Sequence, residues 1–417
     1  MKPYRNLARK KRRGSRPRFL GISILPVFVC IVFFAPPGMV FAQTTWTAFA
    51  GTAQWGDAAN WNTFSVPGSG DDVIIPSAPS GGPIFPSLVA VSSTDGTTAN
   101  LTIQAGASVT VGWRTLTVNG NLGGGGALTV SSGTANVTGN LTVGTLTAGT
   151  GTVNLTGAAA ATVNAYTFNN LAINKTGAVT IAGPSTVNGA LTVTNSGGTT
   201  FSGALTAGTV TLSNTTGTIA FQGNTTMTTL NTANQGYNVS FTGGTNSFTN
   251  DVNFRNSGTV TLGNGGDILT FTGGLATAGN PSNPSGTSVG GTVRTAGQQI
   301  DLGAVTLTNA STIDTSNNGG SPAGAPINIA SVTGGGNNLT VRSRTGATTV
   351  TGAVAGVGTL TLHDNVANST GAMNFQGNLA ATALVTVAQG YGVSLTGATT
   401  TVTNAAAFSN TGTVTLG

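Results

Sequence analysis

The sequence predicts an all-β chain folded as a right-handed parallel β-helix (β-solenoid) with about 20 residues per coil. Three observations predict it. Residues 219–263 align with residues 373–417 without a gap, at an offset of 154, and 25 of the 45 positions are identical. Phe221-Gln222-Gly223-Asn224 meets Phe375-Gln376-Gly377-Asn378, Gln235-Gly236-Tyr237 meets Gln389-Gly390-Tyr391, and Gly258 to Gly263 recurs as Gly412 to Gly417. Chance in a Gly/Thr-rich chain would not hold aromatic and glutamine positions in register. A finer period lies inside. Apolar-polar-apolar triplets begin at Leu171, Leu191, Val210, Leu230 and Val252, and an interleaved series begins at Val179, Thr199, Ile219, Val239 and Val260, with steps of 19 to 22 residues. Periods of this size mark stacked repeats. The third observation is composition: 64 Gly and 75 Thr, no Glu, and 6% charged residues, against about 25% in a typical soluble domain.

The chain opens on a basic run, with nine of its 15 Lys and Arg between Lys2 and Arg18. An apolar stretch from Phe19 to Ala35, interrupted by Pro26, follows, and Val40-Phe41-Ala42 ends in small residues before Gln43. That is the layout of a secretory signal peptide over residues 1–42, with cleavage between Ala42 and Gln43. Pro26 and the 17-residue length weigh against a membrane-spanning anchor, and the apolar segment weighs against nucleic acid as the partner of the basic run. Beyond residue 42 six basic residues stand against nine Asp, a net charge of −3, so the basic pI belongs to the leader. The only cysteine, Cys30, lies in the leader too, and Phe28 and Val29 before it are too bulky for a lipoprotein cleavage box. The exported chain has no disulfide to stabilise it.

Residues 43–100 hold Trp46, Trp55 and Trp61 and five prolines from Pro67 to Pro86, and read as an N-terminal Trp/Pro-rich cap module covering the first open coil. Two readings of the three Trp are open: core of that cap, or a sugar-stacking platform. The solenoid repeats follow over 101–417, in copies of about 153–304 and 305–417, the second truncated. In each triplet the apolar residues go inward and Thr outward. Gly, Asn and Ser between triplets supply turns. No segment past the leader carries a sustained helical pattern.

Stacking also accounts for the missing charge. Equivalent positions lie about 4.8 Å apart, where a like-charged pair costs ~0.9 kcal/mol even in water, repeated at each coil. Threonine and asparagine avoid that cost. Proline, which cannot donate to a ladder, is restricted after Ser87 to Pro184, Pro281, Pro284, Pro322 and Pro326. The last four mark two expected protruding loops, 279–291 and 317–326, the best candidates for contact with a partner. A tandem array of immunoglobulin-like sandwiches is the structural competitor.

The stretch Trp55-Gly56-Asp57-Ala58-Ala59-Asn60-Trp61, then Val66-Pro67, Asp71-Asp72-Val73-Ile74-Ile75-Pro76 and Asn100-Leu101-Thr102-Ile103, resembles the N-terminal module of large bacterial β-strand-repeat surface proteins. Gly303-Ala304-Val305-Thr306-Leu307, Asn338-Leu339-Thr340-Val341 and Gly352-Ala353-Val354 are similar to repeats of filamentous-haemagglutinin-like, adhesin-like exoproteins. No Asn-Pro-Asn-type motif follows the leader, a departure from the two-partner secretion pattern. The resemblance implies an exported, elongated, non-catalytic structural or adhesive protein, secreted or held at the cell surface in association with the outer membrane. Its implied partners are glycans or proteins of a host or neighbouring cell, with membrane contact only through the leader or a C-terminal anchor beyond residue 417.

Chemistry-bearing constellations are sparse. His363-Asp364 holds the only histidine and reads as a turn, since one imidazole makes no zinc site without further ligands. Asp71 and Asp72 are the one weak metal candidate; calcium wants about six to eight oxygens, and the pair equally suits the start of a strand. Gly123 to Gly126 lacks the Lys-Ser/Thr that a phosphate loop needs. Asn-x-Thr triplets such as Asn100-Leu101-Thr102 arise from composition. A polysaccharide-cleaving β-helix needs several carboxylates converging on a groove, and here nine Asp are scattered and Lys175 is isolated. The expectation is no enzyme and no cofactor, with a surface-layer or matrix component without a receptor as a further alternative. The second copy stops at Gly417 where the first runs on through Asn264 to Phe271, so the sequence reads as a fragment of a longer chain.

Overall fold

The computed structural model describes residues 43–88, 94–279, 284–363 and 368–417, so the expected leader, its Ala42 and Cys30 lie outside the described residues. Residues 43–417 form one unit. It is a parallel β-solenoid of about 16 turns with about 20 residues per coil, which at the strand spacing extends about 75 Å along its axis. Every strand-to-strand ladder among the described residues is parallel; the antiparallel pairings are the isolated bridges Trp46–Trp61 and Ala296–Ser316. The parallel ladders rule out antiparallel sandwiches. The one helical element among the described residues is a single 3-10 turn, Ala58–Asn60.

Each coil has three strand segments, hence three faces. On the first, Val179, Thr199, Ile219, Val239 and Val260 are successive ladder partners. On the third, Leu171, Leu191, Val210 and Leu230 are. These are the two series legible in the sequence. Between them runs a second face, through Ser185, Leu205, Thr225 and Asn246. Its inward positions are polar as often as apolar, which hid its period. Thr225 and Asn246 are buried because their side chains bond back to the corner, Thr225 to the Gly223 carbonyl at 3.2 Å and Asn246 to that of Gly243 at 2.7 Å.

The alternation predicted from the triplets holds: Val210 and Leu212 are buried while Thr211 faces out. Inside, side chains stack as coils do. Phe201, Phe221 and Phe241 lie face over face at 5.1 and 4.7 Å with planes 6° apart, and Phe248 stacks on Phe271 at 4.6 Å. At the corners, backbone passes over backbone. A Cβ on Gly223 would fall 2.2 Å from the Gly203 carbonyl carbon, and one on Gly243 2.1 Å from the Gly223 oxygen. Asparagines near corners extend the ladder through side chains: the Asn100 carbonyl oxygen accepts from the Asn121 amide at 2.7 Å, and Asn121 from that of Asn140 at 2.9 Å.

The long repeat turns as it climbs. Ile219 and Val260 lie on the first face, but their partners at an offset of 154, Met373 and Val414, belong to the ladder Ile300–Ile327–Thr348–Met373–Val393–Val414 of the third. The repeat therefore spans a whole number of coils plus two-thirds, and equivalent residues are displayed on different sides.

The expected loop over 279–291 is a correction. Gly286–Thr295 is a strand, paired with Thr259–Phe271 on one side and Ile300–Asp314 on the other. The loop ends at residue 285, because the Gly/Ser-rich run passes without a break into inward-facing Thr287 and Val289. The second loop, over 317–326, lies between Asp314 and Ile327 as expected. Asp314 organises it, its carboxylate accepting from Ser316 N and Oγ at 2.6 Å each and from Asn318 N at 2.7 Å.

Candidate binding face

The N-terminal aromatics are core. Trp46, Trp55 and Trp61 are fully buried, with Trp61 edge-on to the other two at 5.0 and 4.9 Å. The platform alternative fails for them because no ring face is open to a ligand. Their setting explains the Asn-Trp motif: Asn60 is buried, donates to Thr52 and Gln54, and accepts from the Ala50 amide. Trp61 Nε1 donates to the Trp55 carbonyl and Trp46 Nε1 to that of Ile84. Trp113, by contrast, is 79% exposed.

The scattered titratable groups serve the ladder. Asp71 accepts from the Gly68 amide, closing a turn, and Asp72 accepts from the Asn100 side chain at 2.8 Å, at the head of the asparagine series. Among the described residues no three His, Cys, Asp or Glu side chains are placed to hold a metal ion. His363 is buried at a positive φ of 62°, its Nε2 3.1 Å from the Gly371 carbonyl and its ring against Tyr391 at 4.5 Å; Asp364 lies outside the described residues. Gly123 to Gly126 fall inside the strand Leu122–Val130, where a Cβ on Gly124 would meet the Ile103 oxygen at 2.1 Å.

Lys175 is buried and donates to the carbonyls of Thr138 and, at 2.8 Å, Thr156, on successive coils. Burial lowers its pKa. Three tyrosines act similarly as ties between coils. Tyr166 donates to the Val143 carbonyl at 2.7 Å. Tyr237 donates to Leu212 O and accepts from Ala233 N, and Tyr391, its repeat equivalent, donates to Leu362 O and accepts from Val387 N. Burial pushes Tyr166 and Tyr237 up to about 12 and raises Tyr391. Sequence reading missed these ties, although the recurrence of Gln-Gly-Tyr at an offset of 154 was a signal for two of them.

With the interior filled, open polar surface is concentrated outside, and two clefts lie on the third face. One, of about 310 Å³, is lined by Ala278, Gly279, Asp301, Leu302, Asn328, Ile329, Ala330 and Thr351. Its Asp301 carboxylate accepts from the Gln299 and Asn328 amides at 2.8 and 2.7 Å. It borders the start of the loop after Ala278, which is where a contact was expected. The other, of about 280 Å³, is lined by Leu230, Asn231, Thr232, Asp251, Asn253 and Arg255, of which the sequence marked Leu230 alone, and that as a core position. Both are small-ligand in scale, and between them the ladder runs from Asn253 through Ala276 to Asp301, so one apolar position separates their polar groups.

No family model, curated protein or solved structure matches the chain.

Proposed function

We propose that this is a non-catalytic exported protein of the cell surface or extracellular matrix that presents binding groups along a stiff repeat rod. The observation that carries the proposal is the coincidence of a fully packed interior with outward polar groups held in ladder register on one face. Such a lattice gives each partner group a weak contact and repeats it at about 4.8 Å intervals along the axis. Linked weak contacts raise avidity by orders of magnitude without any one deep pocket. The resemblance of the N-terminal stretch and the later repeats to adhesin-like surface proteins supports the same reading, as does the leader-like layout of residues 1–42.

The test has two arms. Antibody against the solenoid should label intact cells of the producing organism; labelling only after lysis would refute export. The purified full chain should hold to surfaces coated with glycans or proteins of neighbouring cells, and polymeric ligand should compete far better than monomer. A chain on the cell surface that holds to none of these coats would be a matrix component without a receptor.

A further inference from the structure

We infer that the cleft formed by Asn231, Asp251, Asn253 and Arg255 is a binding site for an acidic disaccharide unit, a uronic-acid-type segment of a surface polysaccharide. This deepens the proposed display function and rests on it.

The long repeat supplies an internal control. Asp251-Val252-Asn253-Phe254-Arg255-Asn256 corresponds, at an offset of 154, to Ala405-Ala406-Ala407-Phe408-Ser409-Asn410. Val252–Asn253 is a strand and 406–407 is not, but three hydrogen bonds around this stretch recur in both copies. Thr232 Oγ1 donates to the Asn253 carbonyl and accepts from the Arg255 amide, as Thr386 does with Ala407 and Ser409. Asn256 donates to Tyr237 O at 3.0 Å, and Asn410 to Tyr391 O at 3.0 Å. Both copies therefore anchor this stretch through the same Thr and Asn side chains, and the second does so with Ala, Ala and Ser at the three outward positions. Asn231 likewise has Val385 as its equivalent. Thr232, Phe254 and Asn256 are kept, while Asn231, Asp251, Asn253 and Arg255 are present in the first copy alone. Asn253 Nδ2 donates to the Asp251 carboxylate at 2.7 Å, so these two side chains hold each other at the cleft edge, whereas none of the hydrogen bonds shared with the second copy involves the side chains of Asn231, Asp251, Asn253 or Arg255.

Their spacing points to the ligand. Asp251, Asn253 and Arg255 alternate with inward Val252 and Phe254, so all three face out on one edge. At about 3.3 Å per residue, Asp251 and Arg255 are about 13 Å apart along extended chain, too far for an ion pair and about right for two sugar rings. Asn231 adds an amide from the preceding coil. Gly274, at φ 121°, leaves room for Asp251: a Cβ there would lie 2.9 Å from its Oδ1. A carboxylate with amides beside it is suited to sugar hydroxyls, and an exposed guanidinium at the far end is suited to a carboxylate through its two-pronged donor fork. One carboxylate is far short of the oxygens that calcium takes.

The purified full chain is titrated with a galacturonic acid disaccharide and with its methyl ester, which keeps the skeleton and removes the charge, using ligand-observed NMR. Saturable binding of the acid, weakened about tenfold or more in the ester and weakened by salt, is expected. Arg255→Ser, and the triple change Asp251→Ala, Asn253→Ala, Arg255→Ser, carry the second copy's own residues and should keep the circular dichroism while losing about ten- to a hundredfold in affinity. Equal binding of acid and ester, binding of neither, or full affinity in Arg255→Ser would overturn the inference. Adhesion assays on the triple variant separate the two readings. Retained adhesion without disaccharide binding leaves the rod reading standing and removes this site, whereas a wild-type chain that adheres to nothing removes the rod reading itself.

Discussion

Replacing Tyr391 by Phe removes one oxygen from a buried position and leaves the ring in place. In the native protein that oxygen donates to Leu362 O at 3.1 Å and accepts from Val387 N at 2.8 Å, and Val387 N has no other backbone acceptor among the described residues. Leaving both groups unpaired costs about 1–3 kcal/mol each, so local stability should fall by about 2–6 kcal/mol. Tyr237→Phe is the contrasting case. Ala233 N already donates to Leu212 O at 2.9 Å as well as to the phenol, so the loss is nearer to a single bond, about 0.5–1.5 kcal/mol. Amide hydrogen exchange reads the difference residue by residue, which suits an array of repeats whose global unfolding is not two-state. At about 1.4 kcal/mol per tenfold, Val387 should exchange about 30- to 20,000-fold faster in Tyr391→Phe, and Ala233 about two- to tenfold faster in Tyr237→Phe. Each amide serves as the unperturbed control for the other variant. Equal accelerations in the two variants, or none at Val387, would refute the idea that these phenols tie neighbouring coils together.

Other perturbations probe the remaining devices. Phe221→Ala takes the middle ring from the Phe201–Phe221–Phe241 stack and should cost about 3–5 kcal/mol locally, read as faster exchange on the flanking coils. Gly223→Ala places a methyl 2.2 Å from backbone and should destabilise by about 1–3 kcal/mol or more, whereas Gly236→Ala, with nothing within 4 Å, should be near neutral in the same denaturation assay. Spectrophotometric titration should show Tyr166 and Tyr237 ionising near 12. Because the folded pKa lies above the unfolded value of about 10, stability is fully present below pH 10. It is lost as pH rises toward 12, by at most about 3 kcal/mol for each of the two tyrosines. Lys175 has the opposite sign. Its folded pKa is depressed below 10.5, so stability rises with pH from the folded pKa up to about 10.5. Its burial should leave it unmodified by acylating reagents until the chain unfolds.

Much of this architecture was legible because stacking forces it into the sequence. A residue in a solenoid meets its own equivalents, so the apolar positions of two faces repeat at near-constant spacing and charge is excluded. The second face escaped because its inward places at Thr225 and Asn246 are satisfied by hydrogen bonds to corner carbonyls, which no hydropathy period records. The loop at 279–291 was drawn too long because Gly286 and Thr287 look like linker but lie in ladder register with Thr259 and Val260. The candidate site was the least visible part. Asp251, Asn253 and Arg255 stand two apart in an ordinary-looking stretch, and only the third face, with Asn231 one coil before, makes them a cleft. Their absence from the aligned second copy was in the sequence, but without the coil geometry nothing distinguished it from drift.

The claim that parallel coils climb one axis in fixed register is tested most directly by distances along the first face. Thr200, Ala220, Ser240, Thr261, Ser288, Thr306 and Thr333 are successive ladder partners. Spin labels on cysteines introduced at Thr200 and Thr306, five steps apart, should be separated by about 24 Å, and at Thr200 and Thr333, six steps apart, by about 29 Å. Dipolar spectroscopy on a Cys30→Ser background should return those two distances with an increment of one strand spacing. An increment unrelated to the number of coils, or a shorter distance for the longer pair, would contradict the solenoid and the binding face built on it.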